Sequence, residues 1–377
     1  MNQSGGLLLT AGSTAVTPYG LSQRTTAVGG SKPPPYGRIG SFEHPHISHF
    51  QMTTLHPCDK IEESLFLEVS HMKKVSWGAT GIKVSAVALG CMRLEALTPE
   101  EAAKYLEKAV SLGIDFFDHA DIYGQGRCES LFAKALAQTQ LKREDLWIQS
   151  KCGIVSGVCY NFDKEHILKA TDGILQRLNV EYLDSLLLHR PDALMEPEEV
   201  AAAFDQLHDQ GKVRHFGVSN HNPGQIKLLK KYVDQPIEAD QLQFGLGHAG
   251  MVSRGMEANV HSDGAVSRDG GILDYCRLED ITIQTWSPFQ YGFFRGPFFG
   301  APGYEKLDEE LKVLGAEYGV SPTTLASAWI LRHPAGMQLI AGTMKEARLE
   351  EIAAAADVKL SREHWYRLYL AAGYSMP

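Results

Sequence analysis

Four residues of this chain could together reduce a carbonyl: Asp118, Tyr123, Lys151 and His189. The run Phe116-Phe117-Asp118-His119-Ala120-Asp121-Ile122-Tyr123-Gly124 puts an acid at the end of a short apolar stretch and a tyrosine five residues later. Lys151 and His189 end the next two apolar stretches, Leu146-Trp147-Ile148-Gln149-Ser150 and Leu183–Leu188. Carbonyl reduction needs a hydride at carbon and a proton at the developing alkoxide. A tyrosine, with an ordinary pKa of about 10, is a poor acid-base group at neutral pH unless a nearby ammonium stabilises its phenolate. Lys151 can supply that charge, Asp118 can hold and orient Lys151, and His189 can polarise or position the carbonyl. Singly, each has a plainer reading: a structural ion pair, a packed tyrosine, a satisfied core histidine. Their order, each at or just after a strand end, favours the joint reading. Lys151 used as a Schiff-base nucleophile is the competing chemistry.

The elements that must position these side chains alternate regularly. A hairpin-like stretch, Val75 to Val84, turns at Gly78 and Gly81 and leads into Ala86-Val87-Ala88-Leu89-Gly90. Further apolar strands are predicted at 114–117, 146–150, 183–188, 213–218, 237–242, 281–285 and 337–341. Amphipathic helices are predicted between them, the first opened by Thr98-Pro99-Glu100-Glu101, a capping box with proline at the first helical position. Strands separated by helices imply parallel βα units, and eight of them in about 300 residues fit a (β/α)8 barrel better than an open sheet. Asp118, Lys151, His189, Asn220 and Gln241 all fall at C-terminal strand ends, the end of such a barrel that carries active sites.

Composition bounds the rest. The 377 residues are 44% hydrophobic and 21% charged with a formal net charge of -9, which excludes whole-chain disorder and argues against a dedicated nucleic-acid binder. No apolar run approaches the roughly 20 residues needed to span a bilayer. Six scattered cysteines without a CxxC pair read as reduced thiols in a cytoplasmic protein. Residues 1–58 hold only four charged side chains, Arg24, Lys32, Arg38 and Glu43, amid Gly, Ser, Thr and Pro. The chain is therefore expected to divide into a disordered N-terminal extension, 1–71, and a barrel, 72–377. An over-long translated start is a plainer account of that extension than a transit peptide. His44, His46, His49, His56 and Cys58 read as solvated side chains of a loose tail, and no metal site is expected.

Gly245-Leu246-Gly247-His248-Ala249-Gly250 matches GxGxxG after a predicted strand. A dinucleotide turn must open an amphipathic helix. Met251 to Gly271 shows no sustained helical period, so the match reads as a coincidence in a long loop. That loop is expected to cover a cofactor or shape a substrate pocket. Phe289-Gln290-Tyr291-Gly292-Phe293-Phe294 could line the same mouth or pack beneath the loop.

Residues 72–373 resemble the aldo-keto reductase superfamily, most of all its bacterial oxidoreductase branch. The similarity is carried by Leu89-Gly90-Cys91-Met92-Arg93, by 117–124, by Leu188-His189-Arg190-Pro191-Asp192, by Gly217-Val218-Ser219-Asn220, by Trp286-Ser287-Pro288 and by Ile340-Ala341-Gly342-Thr343-Met344. The resemblance implies a (β/α)8 reductase of aldehydes or ketones using NADPH, with NADH possible, and the tetrad Asp118, Tyr123, Lys151 and His189. It also implies cofactor contacts at Gly90, Cys91 and Met92, at Ser219, Asn220 and Gln241 for the nicotinamide carboxamide, and at Trp286 for the ring, followed by Ser287 and Pro288. Gly342, Thr343, Met344 and Arg348 match the segment for the 2′-phosphate-bearing adenosine, and Glu351 the acid near adenine. Three departures stand out: Gly342 replaces a common lysine, Ile352 stands where Asn is common, and Asp240, beside Gln241, stands where Asn is frequent. Related barrels also serve as channel-associated subunits, which makes a catalytically weak nucleotide-binding subunit the alternative from another class. The expected partner is a small carbonyl compound, with no nucleic acid or membrane, in a monomer or weak homo-oligomer.

Overall fold

The structure, a computed structural model, describes residues 72–293 and 295–377. The expected extension over 1–71, with its histidines and Cys58, lies outside the described residues, as does Phe294. The described chain opens with an antiparallel hairpin, β1 (Lys74–Ser76) and β2 (Lys83–Ser85), with Val75 opposite Val84. Its turn packs on the barrel floor. The Trp77 indole donates to Glu238 Oε2 at 2.7 Å and the Gly78 N–H to Thr282 Oγ1 at 2.7 Å. Gly78 has φ +50, and a Cβ there would meet the Glu238 Cβ at 2.9 Å, so the turn needs glycine.

Alternation then runs as the sequence predicts: β3 (Val87–Gly90), α1 (Pro99–Ser111), β4 (Phe116–Asp118), α2 (Arg127–Leu136), β5 (Trp147–Cys152). A two-stranded ribbon, β6 (Ile154–Val155) with β7 (Cys159–Tyr160), precedes α3 (Lys164–Leu178), β8 (Leu183–Leu188), α4 (Pro197–Asp209), β9 (Val213–Ser219) and α5 (Pro223–Lys230). Next come β10 (Ile237–Gln243), α6 (Gly250–Met256), α7 (Ile272–Leu278), β11 (Thr282–Trp286), α8 (Glu305–Tyr318), α9 (Pro322–Leu331), β12 (Gln338–Ala341), α10 (Glu346–Ala354) and α11 (Arg362–Ala371). Eight strands close into one barrel in the order β3-β4-β5-β8-β9-β10-β11-β12, β12 pairing back onto β3, all parallel. The architecture is therefore the expected (β/α)8 barrel.

Local chemistry explains the helix starts. At α1 the Thr98 hydroxyl accepts from the Glu101 N–H at 3.2 Å while the Glu101 carboxylate accepts from the Thr98 N–H at 2.8 Å. Ala102, Tyr105, Leu106 and Ala109 then form the stripe that α1 buries against the sheet. Asn222 and Gln225 cap α5 in the same reciprocal way.

The segment after the GxGxxG match differs from expectation: a two-turn helix, α6, forms where no helical period is visible. Seven residues are too few to display one. The glycines have a packing role instead. A Cβ on Gly245 would meet the Pro288 carbonyl oxygen at 1.9 Å and one on Gly247 the Gln290 oxygen at 2.9 Å, so two mouth loops can touch only because both residues lack side chains.

Candidate active site

Asp118 is the last residue of β4 and is 2% exposed; Lys151, near the end of β5, is fully buried. The Lys151 ammonium lies 2.8 Å from each Asp118 carboxylate oxygen. It also donates to the His119 carbonyl at 2.7 Å and to the Tyr123 hydroxyl at 3.1 Å. With its donors engaged inward, the ammonium is fixed and the Tyr123 O–H is left to donate elsewhere. Tyr123 is held by an unusual turn, because Gly124, Gln125 and Gly126 all adopt left-handed φ values of 55, 57 and 84. A Cβ on Gly124 would meet a Glu95 carboxylate oxygen at 2.6 Å. His189 follows β8; its N–H donates to the Cys152 carbonyl at 2.9 Å, and its ring stands edge-on to Tyr123 with centroids 6.1 Å apart. The four predicted side chains thus meet at one end of the barrel.

Their electrostatics follow from burial and charge. Burial pushes the Tyr123 hydroxyl above its ordinary value, and the pull of Lys151 in the other direction does not overcome it. The expected lowering by Lys151 is present, yet the net direction is upward, so the phenol stays protonated at neutral pH. Burial also disfavours charge on Lys151, but Asp118 and Tyr123 outweigh it and raise the ammonium above its ordinary value. A permanently charged Lys151 is a poor Schiff-base nucleophile. Burial, then Lys151, then Arg190, hold His189 well below the usual imidazole value, so it is neutral. Its Nδ1 is enclosed without a hydrogen-bond partner. Behind the lysine, burial and then Glu129 raise the Asp121 carboxyl to about 7.

Beneath the tetrad lies a layer the sequence did not reveal. Asp118 Oδ1 accepts from Gln149 at 2.6 Å and from Gln241 at 3.0 Å; both amides also donate to Gln284 Oε1, at 2.9 and 3.2 Å. Gln284 donates to Gln338 at 2.7 Å, and Gln338 to the Ser85 carbonyl at 2.7 Å. Four buried glutamines from four strands therefore anchor the acid. Gln241 reads in sequence as a cofactor contact, and Gln149, Gln284 and Gln338 as polar residues within their strands; only closure of the barrel joins the four.

The residues expected to touch a cofactor fall in two groups. Ser219, Asn220 and Trp286 are joined: Asn220 donates to Ser219 Oγ at 2.8 Å and accepts from the Trp286 indole at 3.0 Å, while Ser219 Oγ donates to the Gln241 carbonyl at 2.9 Å. Asn220 and Ser287 have φ +62 and +48, left-handed values that are uncommon outside glycine. Gln241 belongs to the glutamine layer, and Pro288 contacts the Gly245 turn. On the other side, Gly90 ends β3 opposite Asp118, with Cys91 buried beside it and Met92 accepting from the Cys128 thiol at 3.4 Å. Gly342, Thr343 and Met344 follow β12. Arg93 donates to the Gly342 carbonyl at 2.8 Å and Tyr105 to the Thr343 carbonyl at 2.6 Å. Arg348 is exposed on α10 and makes no ion pair among the described residues; Glu351 is half-buried one turn on. Arg93, to which the sequence alone assigns no role, fills the space beside Gly342 with its guanidinium, where a Cβ would lie 3.0 Å from its Nη1.

A cavity of about 430 Å³ opens between the strand ends and the long loop, with Arg190, Asn220, His248, Arg254, Trp286 and Phe293 in its wall. The aromatic stretch divides its duties: Phe289 packs 5.7 Å from Phe299 and Tyr291 5.4 Å from Tyr304, whereas Phe293 faces the cavity. Among the described residues, no group of three or more His, Cys, Asp or Glu could hold a metal, and no helix is long and apolar enough to cross a membrane.

Residues 86–369 match the Aldo/keto reductase family. The chain belongs to that family. Among its relatives is the uncharacterized oxidoreductase YcsN of Bacillus subtilis, 33% identical over 318 residues, covering 79% of this chain and 98% of the relative. The thermostable aldo-keto reductase Tm1743, solved with the inhibitor epalrestat, superposes with a TM-score of 0.66 at 26% identity, covering 80% of this chain and all of that one. An aldo-keto reductase from Klebsiella pneumoniae, solved with NADPH, has the same fold with a TM-score of 0.64 at 24% identity, covering 81% of this chain and 96% of that one. The chain is accordingly an oxidoreductase-family barrel, and its tetrad stands at the C-terminal strand ends of an aldo/keto reductase.

Proposed function

We propose that this aldo/keto reductase reduces aldehydes or ketones to alcohols with NADPH, using Tyr123 as the general acid. The observation that carries the reading is the contact of a buried, charged Lys151 with the Tyr123 hydroxyl at 3.1 Å; a cavity of about 430 Å³ opens at the same end of the barrel, lined by Arg190, the residue after His189. The donor set fits a nicotinamide dinucleotide. Ser219 and Asn220 would hold the carboxamide and Trp286 the ring, while Arg348, and Arg93 beside Gly342, would receive phosphate charge. A guanidinium with no acid partner, such as Arg348, is suited to the 2′-phosphate and supports NADPH over NADH. Bound reduced nicotinamide supplies the hydride.

The chain's own groups do the rest. Neutral His189 offers an N–H to the carbonyl oxygen and orients it without adding charge. As negative charge develops on that oxygen, the Tyr123 hydroxyl donates its proton. Lys151 stabilises the phenolate that remains, and Asp118 with the glutamine layer keeps Lys151 in place. The proton returns to Tyr123 from solvent through the open mouth. Screening wild-type protein for cofactor oxidation with aldehydes, ketones and quinones, with NADPH and NADH in parallel, tests the reading. Carbonyl-dependent oxidation favouring NADPH is expected; none with either cofactor across the panel would overturn it.

A further inference from the structure

The residue after His189 has entered so far only through the effect of its charge on that imidazole. Arg190 is half-buried in the mouth and forms no ion pair among the described residues. Its guanidinium lies 5.5 Å from the centroid of the Trp286 ring and 5.8 Å from that of Phe293. Cation–π contacts of this kind hold a guanidinium in place without using up its N–H donors. A desolvated cation without an acid is costly unless something supplies the missing charge.

Its neighbours reinforce the point. Arg254 and Arg268 line the same cavity, and its one acid, Asp269, is already paired with Arg254. Arg254 also donates to the Val266 carbonyl at 3.1 Å, which leaves its charge directed into the loop. The mouth is thus locally cationic in a chain whose formal net charge is -9. Apolar surface flanks the guanidinium: Phe293 is 67% exposed, and Tyr160 at the end of β7, close enough to bias the charge on Arg190, is 47% exposed.

We propose that Arg190 makes this site selective for carbonyl compounds that carry an anionic oxygen group, a carboxylate or a phosphate, on an apolar body. Resting on the reductase reading above, this names the substrate class for the same site. The barrel order argues that the anion belongs to the substrate and not to the cofactor. Arg190 follows β8, whereas Gly342–Arg348 follow β12, four strands away in either direction around the ring. The adenosine end and Arg190 therefore lie on opposite sides of the mouth. A substrate anion on Arg190 would place its carbonyl toward His189 and Tyr123, one residue and one ring away.

Two matched sets of probes test this with the full chain. For turnover, 4-carboxybenzaldehyde is compared with methyl 4-formylbenzoate, the same aldehyde with its charge removed. The acid is expected to have the higher kcat/KM, through KM, by about tenfold or more, the usual scale of a charge-assisted bond. In Arg190→Gln that ratio should collapse to about one, and Arg190→Lys should keep part of it. For binding, benzoate, phenyl phosphate and benzamide are titrated by calorimetry against wild type and Arg190→Gln, and NADP+ against both. Benzoate or phenyl phosphate should bind wild type more tightly than benzamide, and the stronger of the two anions identifies the preferred group. An acid-to-ester ratio near one in the wild type, a ratio unchanged in Arg190→Gln, or benzamide binding as well as the anions would overturn the proposal. So would an Arg190→Gln variant that weakens NADP+ as much as it weakens benzoate, since the guanidinium would then serve the cofactor diphosphate. If no aldehyde is turned over at all, the reductase reading fails, and the anion titration still decides the role of Arg190.

Discussion

Tyr123 and His189 carry opposite requirements, and their surroundings meet both. Burial keeps the phenol protonated well into the alkaline range, so the proton donor for reduction is present at neutral pH. The imidazole is held neutral by burial and by the charges of Lys151 and Arg190, so it cannot act as a cationic acid near pH 7. Under the proposed mechanism the reduction rate should show no loss as pH rises through about 6.5, the ordinary imidazole value, and should fall only above about 10, where tyrosine ordinarily ionises. A pH profile of kcat checks this; a rate that drops between pH 6 and 7 and still drops there in Asp121→Asn would make protonated His189 the acid. Any inflection near 7 belongs to Asp121, raised to about that value behind the lysine, and should vanish in Asp121→Asn. The convergence of Asp118, Tyr123, Lys151 and His189 was legible in the sequence because three of them fall at or just after the ends of consecutive strands and Tyr123 lies in the loop that follows the first. Arg190 was not, because a charge after a strand ordinarily reads as solvated, and only the ring contacts of Trp286 and Phe293 show it half-enclosed.

Elements determine how those residues meet. Apart from the β6–β7 ribbon, strand and helix order was readable from β3 to β12, with boundaries shifted by a residue or two, because most long helices carry an apolar stripe and some, such as α1 and α5, a capping box as well. The two-turn α6 was not readable, and neither was the reason for the glycines before it. The approach of the β10–α6 turn to the loop after β11 is set by Gly245, whose missing Cβ leaves room for the Pro288 carbonyl. Gly245→Ala should therefore push these two mouth loops apart at a cost of about 1–3 kcal/mol, the usual range for overpacking. Urea unfolding measures the loss, and turnover should fall with it because Trp286 and Ser287 lie on the displaced segment. Native stability in Gly245→Ala would show that the contact yields without consequence.

For the whole molecule, the polar interior is the larger surprise. A barrel centre is ordinarily filled by branched apolar side chains; here Gln149, Gln241, Gln284 and Gln338 cross it and end on Asp118. Nothing in one strand announces this, because the network exists only when strands distant in sequence close the ring. Asp240, beside Gln241, points the other way and is fully buried, its carboxylate approached only by the His221 and Asn220 backbone amides and without a well-formed hydrogen bond. Burial raises its carboxyl from 3.8 to about 8, partly offset by the His221 and Asn220 amides. Between those values the folded chain holds a proton that the unfolded chain has released. The associated stability is complete at low pH and is lost as pH rises toward 8, on the order of 1 kcal/mol per pH unit. Asp240→Asn should flatten that decline, so urea midpoints measured near pH 5 and near pH 8 should lie closer together in the variant. An equal spread in both proteins would mean Asp240 is ionised in the fold.

The central claim is that the Tyr123 hydroxyl delivers the proton. Carbonyl-dependent NADPH oxidation by Tyr123→Phe, with NADPH affinity followed in the same variant, tests it most directly. Turnover should fall by about 10²–10⁴-fold, the range for loss of a general acid, while NADPH binding stays near the wild-type level. Full turnover by Tyr123→Phe would contradict the account.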